Sequence, residues 1–223
     1  MRPLIETRDL YKIYNPGENE VRALDGVNLT VDVGEFVAIV GQSGSGKSTL
    51  MNMIGCLDVP TTGTYLLNGI DVGSLSDNEL SEIRNNQVGF IFQSFNLIQN
   101  LTAYENVELP LIYRGVSAQK RRTLVLRALE RVALSDRMSH KPSEMSGGQQ
   151  QRVAVARALA GDPPLILADE PTGNLDTKSG TQVFDIIKDL HREGNTIVLI
   201  THDNELAERA ERRVHIVDGK IVL

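Results

Sequence analysis

Gly41, Gly46, Lys47 and Ser48 stand in "GQSGSGKS" with the spacing G-x-x-x-x-G-K-[ST]. The chemistry this spacing suits is a grip on a chain of phosphates. Glycines let the backbone wrap tightly, so that successive N–H groups converge on anionic oxygens. A helix starting near Lys47 would aim its positive end at the same charge. Lys47 is expected to neutralise β- and γ-phosphates, and the Ser48 hydroxyl to ligate Mg²⁺. Ser43, Gly44, Ser45 and Thr49 complete the candidate binding stretch. Read alone, a glycine-serine run is a flexible turn. Here "EFVAIV" precedes it and "LMNMIG" follows, so the context is strand, loop, helix.

A phosphate loop of this kind needs a carboxylate at a strand end, and "LILADEP" offers two. Asp169 closes an apolar run, where an ionised group is costly without a cation or partner. Orienting the Mg²⁺ shell would account for it. Glu170 follows, and at a strand end it is placed to face a γ-phosphate. The plainer alternative, two exposed loop acids, fits poorly between "LILA" and Pro171.

The elements that must carry these residues read as a layered α/β domain. Phe36–Val40, Leu165–Ala168 and Thr196–Ile200 are apolar without alternation, the pattern of strands covered on both faces of a parallel sheet. Val88–Gln93 is a further strand candidate. Asn68-Gly69 and Asp218-Gly219 are hairpin signals that predict an antiparallel part. Ser76 and Glu79 have capping-box spacing. Residues 117–134 predict a long amphipathic helix, and "SGGQQQRVAVARALAG" predicts a second. The stretch from Phe95 to Ala160 reads as helical. The expected organisation is one domain over 1–223, with an α/β core of 1–93 and 161–223 and a helical subdomain of 94–160.

Composition narrows the function. The 223 residues are 41% hydrophobic and 23% charged, enough to bury a core. The net charge of -6 argues against a general grip on nucleic acid. The cluster Lys120-Arg121-Arg122 reads as a solvated helix face. A single cysteine, Cys56, excludes an internal disulfide and reads as a small buried hydrophobe. The N-terminus lacks a signal-peptide pattern. The longest apolar runs reach about a quarter of the roughly 20 residues a bilayer requires. The expectation is a cytoplasmic protein that meets a membrane only through another chain.

The string Met145-Ser146-Gly147-Gly148-Gln149 resembles the signature motif Leu-Ser-Gly-Gly-Gln of the ATP-binding-cassette family, with Met for Leu. A Ser-Gly-Gly segment opening a helix is a second anion cradle. The resemblance implies that Ser146, Gly147, Gly148 and Gln149 face ATP held by a partner protomer, hence a homodimer on ATP binding. It further implies an ABC nucleotide-binding domain with a P-loop, RecA-like core. Gln93 resembles the glutamine that touches Mg²⁺ and the attacking water. Asp176 in "GNLDT" resembles the aspartate that crosses the dimer interface. His202 in "LITHD" resembles the switch histidine at the γ-phosphate. Tyr14 fits the aromatic residue that stacks on adenine, with Tyr11 a competitor. Catalysis would then fall to Glu170, His202, Lys47 and Gln93, with Ser48, Gln93 and Asp169 at the metal.

Within that family, "IGCLDVPTTG" and "FQSFNLIQNLTAYENVELPL" are similar to the MacB/LolD/FtsE group, nearest the MacB-like export ATPases. The implied function is ATP hydrolysis on the cytoplasmic membrane face, driving a separate permease to export or extract a substrate. LolD-like lipoprotein release and an FtsE-like division role stay open, as does a non-transport ATPase. The last usually carries coiled-coil insertions, zinc motifs or fused cassettes that this chain lacks. A P-loop kinase or GTPase has no use for the Ser-Gly-Gly cradle. The apolar-rich segment from Gln93 to about Tyr113 is the candidate permease dock.

Overall fold

The computed structural model describes residues 3–17 and 19–222. They form two compact units, one of the described residues up to 84 with those from 194 onward, and one of residues 85–193.

The first unit holds two strand systems. One is an antiparallel sheet of β1 (Ile5–Tyr14), β2 (Val21–Val31), β4 (Thr62–Leu67) and β5 (Ile70–Asp71), in the order β2-β1-β4-β5. The other centres on β3 (Phe36–Val40), which lies parallel to β8 (Thr196–Thr201) on one side and to β9 (Arg212–Val217) on the other. The strand β10 (Lys220–Val222) pairs antiparallel with β9. Every residue of β3 and β8 is buried, as their unalternating apolar runs require. Each large side chain so buried contributes about 1.5–3 kcal/mol. Helix α1 (Lys47–Ile54) packs on β2 and β8. The short α7 (Asn204–Ala207) packs on β3 and β8.

Both hairpin signals form turns. Asn68 and Gly69 have φ of 52° and 79°, and Asp218 and Gly219 have 47° and 75°, the left-handed pairs that a primed turn needs. The antiparallel sheet is larger than two hairpin signals foretold. The first strand is irregular, with register shifts between Thr7 and Leu10, Leu10 and Tyr11, and Lys12 and Ile13. Its burial therefore does not alternate, and the period-2 signal is lost.

The second unit pairs β6 (Val88–Phe92) parallel with β7 (Leu165–Asp169), placing Phe92 beside Asp169. Helix α2 spans Asp77–Gln87. Ser76 donates its backbone N–H and its hydroxyl to Glu79 Oε2, at 2.9 and 2.6 Å. Helices α3 (Ala103–Tyr113), α4 (Ala118–Arg131) and α6 (Thr177–Arg192) surround α5 (Gly147–Leu159), which lies on β6. Residues 95–102 were expected to be helical and are instead irregular. Phe95 and Asn96 adopt φ of 60° and 50°. The buried Asn106 amide ties down the carbonyls of Ile98, Leu101 and Thr102.

Candidate functional site

In the first unit, the loop of residues 41–46 leaves the buried end of β3 and turns into α1. A Cβ on Gly41 would lie 2.4 Å from the Ile216 carbonyl oxygen, so no side chain fits there. Gly46 caps α1 with φ 104° and offers no side-chain hydrogen bond, and the first turn carries no acid. The first-turn N–H groups of α1 thus face outward without a competing side-chain anion, which suits a phosphate. Lys47 Nζ donates to the carbonyls of Gly41 and Gln42, both at 2.7 Å. This sets the ammonium over the start of the loop. Ser45 is buried, and its Oγ has no hydrogen-bond partner among the described residues. Ser48 is exposed and Thr49 half-buried.

A cavity of about 570 Å³ opens beside this loop, lined in part by Gly41, Ser43, Gly44, Ser45, His202 and His215. His202 follows the last residue of β8. The turn beyond it is held by the Thr201 hydroxyl, which accepts from the Asp203 N–H at 3.0 Å. The Asp203 carboxylate in turn accepts from the N–H groups of Glu205 and Leu206. Sequence reading missed His215, which sits within β9 beside Val40.

Tyr14 and Tyr11 differ in surroundings. Tyr14 is 37% exposed, its hydroxyl donates to Asp58 Oδ2 at 3.1 Å, and Lys12 Nζ lies 5.1 Å from its ring centroid. Burial, with the Asp58 hydrogen bond and charge, pushes the Tyr14 hydroxyl pKa up. Burial also opposes the Asp58 charge, but hydrogen bonds from Lys12, the Val59 N–H and Tyr14 outweigh it and hold that carboxyl low. Tyr11 sets its hydroxyl against Gly26, where a Cβ would lie 3.1 Å away. Of the two, Tyr14 offers the open ring.

In the second unit, Asp169 ends β7 half-buried, and Glu170 follows with φ 43°. A non-glycine residue held there costs about 1–3 kcal/mol, and such strain gathers at functional sites. Gln93 follows β6. Its Nε2 donates to Asn174 Oδ1 at 3.2 Å, and Asn174 Nδ2 donates to the Gln93 carbonyl at 3.1 Å. Gly173 makes room for this pair, since a Cβ there would lie 2.7 Å from Gln93 Nε2.

Ser146 caps α5 through a complete capping box. Its Oγ accepts from the Gln149 N–H at 3.3 Å, and Gln149 Oε1 accepts from the Ser146 N–H at 2.9 Å. Gly148 lets α5 approach α6, because a Cβ would lie 2.6 Å from Ser179 Oγ. Asp176 caps α6, accepting from the Ser179 N–H at 3.0 Å. Hydrogen bonds from Ser179 hold its carboxyl below the usual range.

Sequence reading also missed Asn174 and Gln151. Gln151 is fully buried, three residues after the buried Gly148 on the inner face of α5. A polar residue at that point of an apolar helical stripe was the available signal.

A strand, a glycine-rich loop and an uncapped helix start define a P-loop nucleotide-binding protein. Residues 24–173 match the family model described as "ABC transporter". The chain belongs to the ABC transporter family, as an ATP-binding and ATP-hydrolysing cassette. It is 55% identical over 99% of its length to an uncharacterized ABC transporter ATP-binding protein, YvrO, of Bacillus subtilis, covering 96% of that protein. It is 53% identical to the macrolide export ATP-binding/permease protein MacB of Hyphomonas neptunium, of which it spans 34%. The dimeric ATP-binding cassette MJ0796, in a post-hydrolysis state with ADP and Pi, superposes with a TM-score of 0.90. That match has 47% identity and covers 98% of this chain and 97% of the other. Among the described residues, no helix is long and apolar enough to cross a membrane.

Proposed function

We propose that this chain hydrolyses ATP as a homodimer on the cytoplasmic face of a membrane and drives a separate permease that exports its substrate. The observation that carries the reading is the presence of two phosphate-ready helix starts on one chain. The helix start at Gly46 has no side-chain cap, and the one at Ser146 is capped by a serine hydroxyl. In a homodimer, the loop of one protomer and Ser146-Gly147-Gly148 of the other would hold one ATP between them. The dimeric state of the MJ0796 cassette supports this. The identity to MacB over 99% of this chain supports macrolide or similar export as the role.

The chemistry assigned to the residues rests on the family resemblance together with their settings. The amides of residues 43–48 and Lys47 bind and orient the phosphates, and the exposed face of Tyr14 carries the adenine. Glu170 takes the proton of the attacking water, with Gln93 and His202 orienting water and γ-phosphate. Ser48, Asp169 and Gln93 would hold Mg²⁺, which supplies charge neutralisation at the β- and γ-phosphates. Among the described residues, no three His, Cys, Asp or Glu side chains cluster. The exposed apolar side chains of Ile98, Ile112 and Tyr113 are the proposed permease contact.

Glu170→Gln tests the scheme. The substitution removes the base but leaves the phosphate loop intact, so hydrolysis should slow by roughly 10²–10⁴-fold. Light scattering after size exclusion should find a monomer without nucleotide and a dimer with ATP, but not with ADP. A variant that binds ATP at saturation and stays monomeric would refute the shared site.

A further inference from the structure

We propose that Gln151 is a positioning residue for hydrolysis, tying the signature helix α5 to the backbone at both strand ends that carry the reacting side chains. Gln151 Nε2 donates to the Phe92 carbonyl at 3.1 Å and to the Pro171 carbonyl at 2.6 Å. Phe92 directly precedes Gln93, and Pro171 directly follows Glu170. One buried amide thus spans the two segments on which water activation depends. The proposal rests on the roles assigned above to Gln93 and Glu170.

Three features make this a constraint on position as well as a packing contact. Gln151 is 0% exposed, so water cannot replace it at those carbonyls. Its Oε1 has no hydrogen-bond partner among the described residues, so the two donated bonds alone fix the amide. Both acceptors lie where regular structure stops. Phe92 is the last residue of β6, and Pro171 is two residues beyond the end of β7. Past Phe92 and Asp169 the ladder no longer sets the backbone, and Glu170 holds a strained φ of 43° that neighbouring contacts must maintain. Gln151 is also five residues from Ser146, about 7.5 Å along a rigid helix. A shift of the signature end of α5 would therefore be felt at both carbonyls.

Displacing a reacting group by about 1 Å can cost roughly 100-fold in rate. Gln151→Met keeps length and burial but removes both donors. Gln151→Asn is one methylene shorter and reaches one carbonyl at most. Purified full-length variants should keep ATP Kd within threefold of wild type, because the phosphate loop is untouched. Their kcat should fall about 10- to 100-fold for Met and by a lesser factor for Asn. Should Met prevent folding, the Asn variant decides alone. A kcat within twofold of wild type overturns the proposal, and so does a loss of ATP affinity as large as the loss of kcat. Glu170→Gln is assayed alongside. Wild-type turnover in that variant refutes the underlying assignment of the base. Slow Glu170→Gln with wild-type Gln151 variants refutes the positioning role alone.

Discussion

Replacing Gly46 by alanine should damage ATP binding far more than the same change at Gly44, two residues away in the same loop. Gly46 has φ 104°, beyond the left-handed well near 57° that other residues can enter. Alanine there carries strain of about 1–3 kcal/mol. Its Cβ would also lie 2.5 Å from the Ala23 carbonyl oxygen and 3.3 Å from Gly219 Cα. Neither neighbour moves freely. Gly219 N–H donates to the Ser45 carbonyl, and the Gly219 carbonyl accepts from Asp25 N–H, both at 2.9 Å. Forcing a methyl into such packing costs roughly another 1–3 kcal/mol. The loop can escape only by leaving its phosphate-binding shape, so much of the penalty falls on binding. At 1.4 kcal/mol per tenfold, about 2 kcal/mol already raises Kd roughly thirtyfold. Gly44 has φ 79° with nothing within 4 Å of its Cβ position, so alanine pays only the left-handed cost of about 1–2 kcal/mol. Isothermal titration with ATP, with Tm measured on the same samples, compares the two variants. Equal or greater loss at Gly44 would refute the steric argument. So would a Gly46→Ala protein with both affinity and Tm unchanged.

Lys47→Ala should weaken ATP binding by at least about tenfold, since a charge-assisted bond contributes about 1.5–3 kcal/mol, and should abolish turnover; wild-type affinity by titration would refute the loop assignment. Phe184→Ala should lower unfolding free energy by about 3–5 kcal/mol in urea, because Phe184 is fully buried on the inner face of α6. Asp58→Asn should destabilise the protein at neutral pH. The Asp58 carboxyl is held low in the fold, so its contribution is present above the ordinary carboxylate pKa of about 3.9 and is lost as pH falls through the lower folded value. Urea titrations should therefore show the two proteins converging below about pH 3.9, and a constant difference down to pH 2 would refute this.

The parts of the fold legible in the sequence were those governed by local rules. The unbroken apolar runs of β3, β7 and β8 had to be covered on both faces, and the Asn68-Gly69 and Asp218-Gly219 pairs had to take positive φ. Ser76 announced the start of α2 through its spacing to Glu79. What escaped depended on contacts distant in sequence. The irregular β1 follows β2 and β4 by shifting register, and Gly63 permits one such approach, since a Cβ there would lie 2.1 Å from the Asp9 carbonyl oxygen. Residues 95–102 are as apolar as a helix face, but Asn106 holds the carbonyls of Ile98 and Leu101 in another shape. The strained φ of Glu170 has no signature in residue type. It depends on the chain on either side of the turn, where the Glu170 carbonyl accepts from Gly173 N–H at 3.0 Å.

Those unreadable contacts share a direction that bears on mechanism. In the second unit, Asn174 grips Gln93 by both its side chain and its carbonyl. Asn174 lies two residues before Asp176, the cap of α6. Gln151 grips the residue before Gln93 and the residue after Glu170. Two helix starts, those of α5 and α6, are thereby joined to one pair of strand ends by side-chain amides. Neutral amide hydrogen bonds contribute about 0.5–1.5 kcal/mol each, a few kcal/mol in total. Coupling free energies between sites typically span about 1–3 kcal/mol. A link of that size can hold Gln93 and Glu170 in place, and a ligand that favours one arrangement of the helix starts can still shift them.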